Sequence, residues 1–340
     1  MKLALTYDDI QLVPSYSEVE SRQHISLHTD LSRNHRIKIP IVASPMDTVC
    51  EYEMASAMMK HGGVGVVHRF MSMKDQADVV EKLGAESRAL HGLPVIAAVG
   101  ANGDFEERSR KLIEAGVDII LIDVAHGHHK NVKQAISAIK ALGEVDVIAG
   151  NIATSEAALD LITWGADGLR IGIGGGSLCT TRIKTGFGVP NVTCISEIRE
   201  ALLKSGNENI PIMADGGIRT SGDIAKALAL GASTVMIGSI LAGTEESPGK
   251  IIEKNRALYK RYRGAASLET KMTHGQASRN VEGESTIIPF KGGVKYVLND
   301  LLDGIRSALS YNGAINLKQF KPEIVQVTNA GQIEASPHLL

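Results

Sequence analysis

Eight short runs of Val, Ile, Ala and Leu recur along the chain: IPIVASP (39–45), GVGVVH (63–68), PVIAAVG (94–100), DIILIDVA (118–125), DVIAGN (146–151), GLRIGI (168–173), IPIMADGG (210–217) and TVMIGS (234–239). They are apolar throughout rather than alternating, as strands buried on both faces are. Amphipathic stretches lie between them, among them EERSRKLIEAG (106–116), SEAALDLITWG (155–165) and SGDIAKALALG (221–231). Several end in Gly, a common helix stop, and Thr220 or Ser221 is placed to cap the last of the three. Strand and helix in eightfold alternation predict one (β/α)8 TIM-barrel domain over 1–340. An open doubly wound sheet competes less well, because no G-x-G-x-x-G follows the first run.

The longest interval, between the sixth and seventh runs, holds GGGSLCTTRIKTGFGVPN, too rich in Gly and Thr for a helix. A long connection of this kind in a compact domain usually carries function. After the eighth run, SLETKMTHGQASRNVEGES (267–285) has no apolar periodicity and reads as a flap over the barrel top. VKYVLNDLLDGIRSAL (294–309) reads as a helix, and the tail IVQVTNAGQIEASPHLL shows no core pattern of its own.

Composition narrows the class. Of 340 residues 44% are hydrophobic, enough for a large core, and a net charge of −2 offers no footprint for nucleic acid or an anionic membrane. No apolar run is long enough to span a bilayer. Asp8 and Asp9 interrupt the start before a secretory apolar segment can form. Three cysteines, Cys50, Cys179 and Cys194, are too few and too scattered for a disulfide framework or zinc cage, which points to a reducing cytoplasm.

Barrel sites lie at the C-terminal ends of the strands, and phosphate sites favour the loops after strands seven and eight. Those loops hold Asp215-Gly216-Gly217 and Gly238-Ser239. Two such glycine turns let backbone N–H groups approach an anion, and Asp215 suits a ribose diol. Cys179 stands among Ser177, Thr180, Thr181 and Arg182 in the long loop, a polar setting in which Arg182 and loop amides can activate a thiol. Cys50 and Cys194 have no such company and read as structural. His68, His126, His128 and His129 have no carboxylate or thiol at metal-ligand spacing and read as solvated loop histidines.

Gly174-Gly-Gly-Ser-Leu-Cys-Thr-Thr-Arg182, with Asp215 to Gly217 and Gly238-Ser239, resembles the IMP dehydrogenase/GMP reductase family. LTYDDIQLVPSYS, ASPMDTV (43–49), NGDFEER (102–108) and IAGNIAT (148–154) resemble it too, so the likeness spans the chain. The resemblance implies a barrel enzyme, usually a homotetramer, acting on a purine 5′-monophosphate (GMP or IMP). Cys179 matches the nucleophile that forms a thioimidate at purine carbon 2, with Thr181 and Glu282 as a proton relay. Ser177, Gly217, Gly238, Ser239 and Tyr262 match phosphate contacts and Asp215 the ribose contact. Gly216, Gly264, Ala265, Ala266, Arg279 and Gly283 fall at further substrate positions. Arg69, Asp123, Val124 and Ala125 match cofactor contacts, and carbonyls of Gly174, Gly176, Cys179 and Arg182 a potassium site. The paired-module regulatory insert that most dehydrogenases carry between strands two and three is absent.

Within the family, three features resemble the reductase. The flap is short and holds no Arg-Tyr pair between Ser267 and Glu282; Arg261-Tyr262 lies before Gly264 and is not that pair. TRIKTGFG follows the reductase loop. Ser278 and Arg279 near Glu282, Ser307, and Ser21-Arg22 match contacts to the 2′-phosphate of NADPH. HRFMSMKDQADVV and AGQIEASPH are instead dehydrogenase-like. The expected activity is NADPH-dependent conversion of GMP to IMP and ammonia. IMP oxidation with NAD is the alternative, and a variant purine substrate or a nucleotide sensor without turnover stays open.

Overall fold

The computed structural model describes residues 1–90, 92–273 and 281–334. All eight apolar runs are strands: Ile41–Ala43 (β1), Val64–Val67 (β2), Ile96–Val99 (β3), Ile119–Asp123 (β4), Asp146–Ile152 (β5), Gly168–Ile171 (β6), Ile212–Asp215 (β7) and Thr234–Ile237 (β8). They pair in parallel and close into a barrel, β8 returning to β1 with Val235 opposite Ile41. Every residue of these strands is buried except two, Asp123 and Asp215. Both end their strands, so the barrel puts two carboxylates at its C-terminal mouth.

Helices Tyr52–Lys60 (α1), Met73–Ala89 (α2), Phe105–Glu114 (α3), Lys130–Leu142 (α4) and Ser155–Thr163 (α5) follow β1 to β5 in turn. Thr181–Thr185 (α6) and Asn191–Lys204 (α7) follow β6, and Ser221–Ala229 (α8) follows β7. Thr220 caps α8 by accepting the Asp223 amide at 3.2 Å. Beyond β8, Ile252–Lys254 (β9), Ala257–Arg263 (β10) and Ser285–Pro289 (β11) form an antiparallel sheet. Leu268–Thr273 (α9) lies between β10 and β11 in sequence, and Val294–Tyr311 (α10) packs on α8 and α1. No helix among the described residues is long and apolar enough to cross a membrane.

Three expectations are corrected. The loop after β6 does contain a helix, α6, because its glycines flank TTRIKT rather than interrupt it; Gly186, left-handed at φ 75°, ends the turn. The first residues of the flap are helical as α9. The tail has no fully buried residue in either of its elements, as its lack of a core pattern implies: Ile324–Gln326 pairs with the N-terminal strand Ile10–Leu12, and Asn329–Glu334 (α11) follows. His68 is not a solvated loop residue. It is buried, accepts the Phe70 amide on Nδ1 and meets Glu51 through Nε2 at 3.0 Å. Of the other histidines, His126 is exposed, His128 pairs with Asp160, and His129 caps α4 through the Asn131 amide.

Candidate active site

The chain returns from the flap as β11, and its approach lays 282–284 along the loop after β6. The Thr180 amide donates to the Glu282 carbonyl at 3.0 Å and the Glu284 amide to the Leu178 carbonyl at 3.0 Å. On its other side the same segment meets the end of β10: the Glu282 amide donates to Ala266 O and the Gly264 amide to Glu284 O. Gly264, Ala265, Ala266 and Gly283 are therefore a backbone layer against the Cys179 loop. A side chain on Gly283 would strike the Ser267 amide at 3.0 Å.

That layering joins three side chains. The Cys179 thiol donates to Thr181 Oγ1 at 3.1 Å, and the Thr181 hydroxyl donates to Glu282 Oε2 at 2.7 Å. A thiol, a hydroxyl and a carboxylate in series can carry a proton away from sulfur and deliver it elsewhere. Cys50 and Cys194 are buried; burial pushes both thiols up, Cys194 to about 12, which removes them from nucleophilic chemistry. Arg182 does not approach the sulfur by any hydrogen bond. Its guanidinium donates to the Val189 carbonyl at 3.0 Å and the Ile173 carbonyl at 3.5 Å, tying the two ends of the loop.

Beside the thiol lies a cluster of phosphate-type donors. Ser177 Oγ and Tyr262 Oη are 3.2 Å apart, and Tyr262 also interacts with Ser239. Burial pushes the Tyr262 hydroxyl up, so it stays protonated and able to donate. A side chain on Gly238 would press on Met46 Sδ at 3.2 Å and Tyr262 Oη at 3.3 Å. Lys291 holds the same turn from below, its ammonium donating to the carbonyls of Ser239 at 2.7 Å and Ile240 at 2.8 Å.

The mouth carboxylates are joined by residues that the sequence reading missed. Arg170, buried in β6, donates from Nη1 to Asp123 Oδ1 at 2.6 Å and from Nε to Asp215 Oδ2 at 3.0 Å. Burial works against its charge, and the two carboxylates more than restore it. Asn151, at the end of β5, donates to the same Asp215 oxygen at 2.8 Å. Arg69 stands 3.9 Å from Asp123 Oδ2. Val124 and Ala125 continue β4, with the Asn151 amide donating to Val124 O at 2.8 Å. One oxygen of Asp215 is thus committed to Arg170 and Asn151.

Two groups of expected residues lie elsewhere or outside view. Ser21 and Arg22 start a short turn that packs on α10, with the Arg22 guanidinium over the Tyr311 ring. Ser307 is on the same helix and bonds back to Asp303 O. These three are brought together with one another by α10; their contacts here do not run to the Cys179 cluster. Ser278, Arg279 and His274 lie outside the described residues.

A family model for the IMP dehydrogenase / GMP reductase domain matches residues 4–338. Inosine-5′-monophosphate dehydrogenase of Cryptosporidium parvum is 40% identical, over 98% of this chain and 94% of that protein. GMP reductase of Leishmania major is 31% identical, over 98% of this chain and 96% of that protein. Among solved structures, a cysteine variant of GMP reductase from Trypanosoma brucei in complex with guanosine 5′-monophosphate superposes with a TM-score of 0.91 at 29% identity, covering 100% of this chain and 98% of that one. Barrel, thiol loop and whole-length similarity agree, and the chain belongs to the IMP dehydrogenase/GMP reductase family of oxidoreductases.

Proposed function

We propose that this chain is a GMP reductase, converting GMP to IMP and ammonia with a reduced nicotinamide cofactor. The observation that carries the reading is the Cys179–Thr181–Glu282 chain, at 3.1 and 2.7 Å, set by a short flap. Hydrolysing a thioimidate needs water activated within hydrogen-bond reach of carbon 2. The flap sequence between Ser267 and Glu282 has no Arg-Tyr pair for that task. Reductive deamination needs only a nucleophile, a proton relay and hydride.

The nucleotide is held by its phosphate at Ser177, Gly217, Gly238, Ser239 and Tyr262 and by its ribose at Asp215, so binding far from the reacting carbon fixes that carbon over Cys179. The thiol proton passes to Thr181 and Glu282 as sulfur adds to carbon 2. The relay returns a proton to the 2-amino group, the C–N bond breaks, and ammonia departs from a Cys179 thioimidate. A reduced nicotinamide cofactor supplies the hydride that carbon 2 then accepts. The C–S bond breaks, the thiolate takes its electron pair, and IMP is left.

The mouth fits such a cofactor. Arg69 Nε is buried with no hydrogen-bond partner, an orphaned donor beside Asp123. Arg69, Asp123, Val124 and Ala125 would hold the cofactor at the mouth, and the family resemblance assigns the NADPH phosphate to Arg279, Ser278, Ser307, Ser21 and Arg22, of which Ser21, Arg22 and Ser307 pack at α10 in this chain. Carbonyls of Gly174, Gly176, Cys179 and Arg182 would be the ligands of a potassium ion, a hard cation that takes oxygen donors. The Gly176 carbonyl accepts the Cys179 amide at 3.1 Å and keeps a second lone pair. Ile183, Phe187, Leu268 and Met272 are exposed apolar surface that a second copy could cover in the homotetramer the family resemblance implies.

IMP dehydrogenase is the second reading, favoured by the 40% identity to the Cryptosporidium parvum protein. Following nicotinamide absorbance with GMP plus NADPH, and separately with IMP plus NAD, decides between them. The reductase reading expects steady turnover in the first mixture and at most slow hydride transfer in the second. Sustained XMP formation from IMP sinks it.

A further inference from the structure

Asn191 is buried where two loops of the site meet. It opens α7, and its Nδ2 donates to two successive backbone carbonyls, Asp215 O at 3.0 Å and Gly216 O at 2.6 Å. Those peptides are trans, so each carbonyl points away from the N–H of the residue that follows. Drawing both carbonyls to one side turns the amides of Gly216 and Gly217 to the other. Neither amide donates a hydrogen bond among the described residues. Both glycines have positive φ, 88° and 75°, and two consecutive N–H groups aimed in one direction form an anion nest. A side chain on Gly216 would strike the Gly175 carbonyl carbon at 2.9 Å, so the nest is also pressed against the Cys179 loop.

With Nδ2 committed to the two carbonyls, Oδ1 is left as a buried acceptor, and it has no hydrogen-bond partner among the described residues. The Tyr7 hydroxyl, buried in the N-terminal segment, is likewise without a hydrogen-bond partner, and the Tyr7 ring edge lies 3.6 Å from where a Gly217 side chain would begin. The segment is anchored on both sides of Tyr7: the Leu5 amide donates to Thr193 Oγ1 at 2.7 Å and Lys226 Nζ to the Tyr7 carbonyl at 2.9 Å.

We propose that Asn191 is a positioning residue that holds the Gly216 and Gly217 amides aimed at the nucleotide's 5′-phosphate, and that the unpartnered Tyr7 hydroxyl serves as the donor for the unpartnered Asn191 Oδ1. This rests on reading the loop after β7 as the phosphate cradle. The role is on binding of the phosphate and not on the bond-breaking steps.

The test compares GMP with guanosine, which lacks the phosphate, by calorimetric titration of the full chain. Wild type should bind GMP far more tightly than guanosine. Asn191→Ser should narrow that ratio by about ten- to a hundredfold, the worth of one or two charge-assisted hydrogen bonds. Guanosine affinity should change by less than about threefold, and kcat at saturating GMP should hold while KM rises. Tyr7→Phe keeps the packing and should narrow the ratio in the same direction by a smaller factor. If both ligands weaken equally, Asn191 is merely structural and the proposal fails. An unchanged ratio in both variants overturns it while the phosphate reading survives. A wild type that binds guanosine as tightly as GMP removes the phosphate cradle and the proposal together.

Discussion

At the scale of single residues, the site divides into groups that move protons and groups that fix geometry. Thr181 belongs to the first. Thr181→Val keeps the β-branched shape and removes the one oxygen that joins Cys179 to Glu282. Proton transfer by a positioned side chain contributes about 10²–10⁴-fold, so turnover should fall by roughly that range while GMP affinity stays put. Steady-state rates and a titration check both halves; a rate within a few-fold of wild type removes Thr181 from the relay. Cys179→Ser should abolish turnover and leave nucleotide binding largely intact, since the phosphate and ribose contacts other than Ser177 lie on other loops; residual turnover near wild type ends the covalent reading. Cys179, Thr181 and Glu282 were legible in the sequence because their motif is specific. Arg170 and Asn151 were not. Both sit inside apolar strand runs, where a single polar residue gives no sign of which way it faces until the barrel closes and sets four strand ends side by side.

At the scale of elements, a buried ammonium ties the flap sheet to the loop after β8, alongside the Arg263–Asp47 ion pair that ties it to the loop after β1. Lys260, in β10, donates to the carbonyls of Thr244 at 3.1 Å, Glu245 at 3.2 Å and Ser247. Burial lowers its pKa, with Glu245 and Glu246 opposing the shift. Lys260→Met fills the same space and takes the ammonium from the Glu245 and Ser247 carbonyls, while Thr244 O keeps the Ser247 hydroxyl at 2.8 Å. An unsatisfied buried polar group costs about 1–3 kcal/mol, so urea unfolding should show a loss of at least that size. Thr220→Ala, which removes a helix cap, should cost only about 1 kcal/mol. A Lys260→Met chain as stable as wild type would show that water replaces the ammonium. The expected helices over 106–116, 155–165 and 221–231 all form, each ending two residues earlier, because local periodicity and caps decide them. The tail strand escaped notice because its partner is at the other end of the chain, Ile10 opposite Gln326. No local pattern carries that pairing.

At the scale of the whole molecule, chemistry gathers at one mouth of the barrel and a charged clasp closes the other. Asp146 begins β5, at the end opposite Asn151, and it is buried. It accepts hydrogen bonds from Ser32 Oγ, the Asn34 amide and Asn34 Nδ2, and meets His35 Nδ1 at 3.2 Å. Burial alone would raise its pKa; the bonds from His35, Ser32 and Asn34 outweigh it and hold the carboxyl well below its ordinary range. The bond to Asp146 raises His35, against its own partial burial. The two shifts act in different windows. The Asp146 contribution is present above its unfolded pKa, about 3.9, and is lost as pH falls toward the lower folded value. The His35 contribution is complete below its unfolded pKa, about 6.5, and is lost as pH rises through the raised folded value. The clasp should therefore stabilise the fold most between about pH 4 and pH 6.5. Asp146→Asn should lower stability most in that window and flatten both flanks of the profile. GMP affinity measured on folded protein should not change, because the barrel's N-terminal face carries stability and its C-terminal face carries the site. Urea unfolding from about pH 3 to pH 8, with a GMP titration at each pH where the fold holds, measures both. A uniform loss of stability at every pH would mean that Asp146 acts by packing rather than by charge.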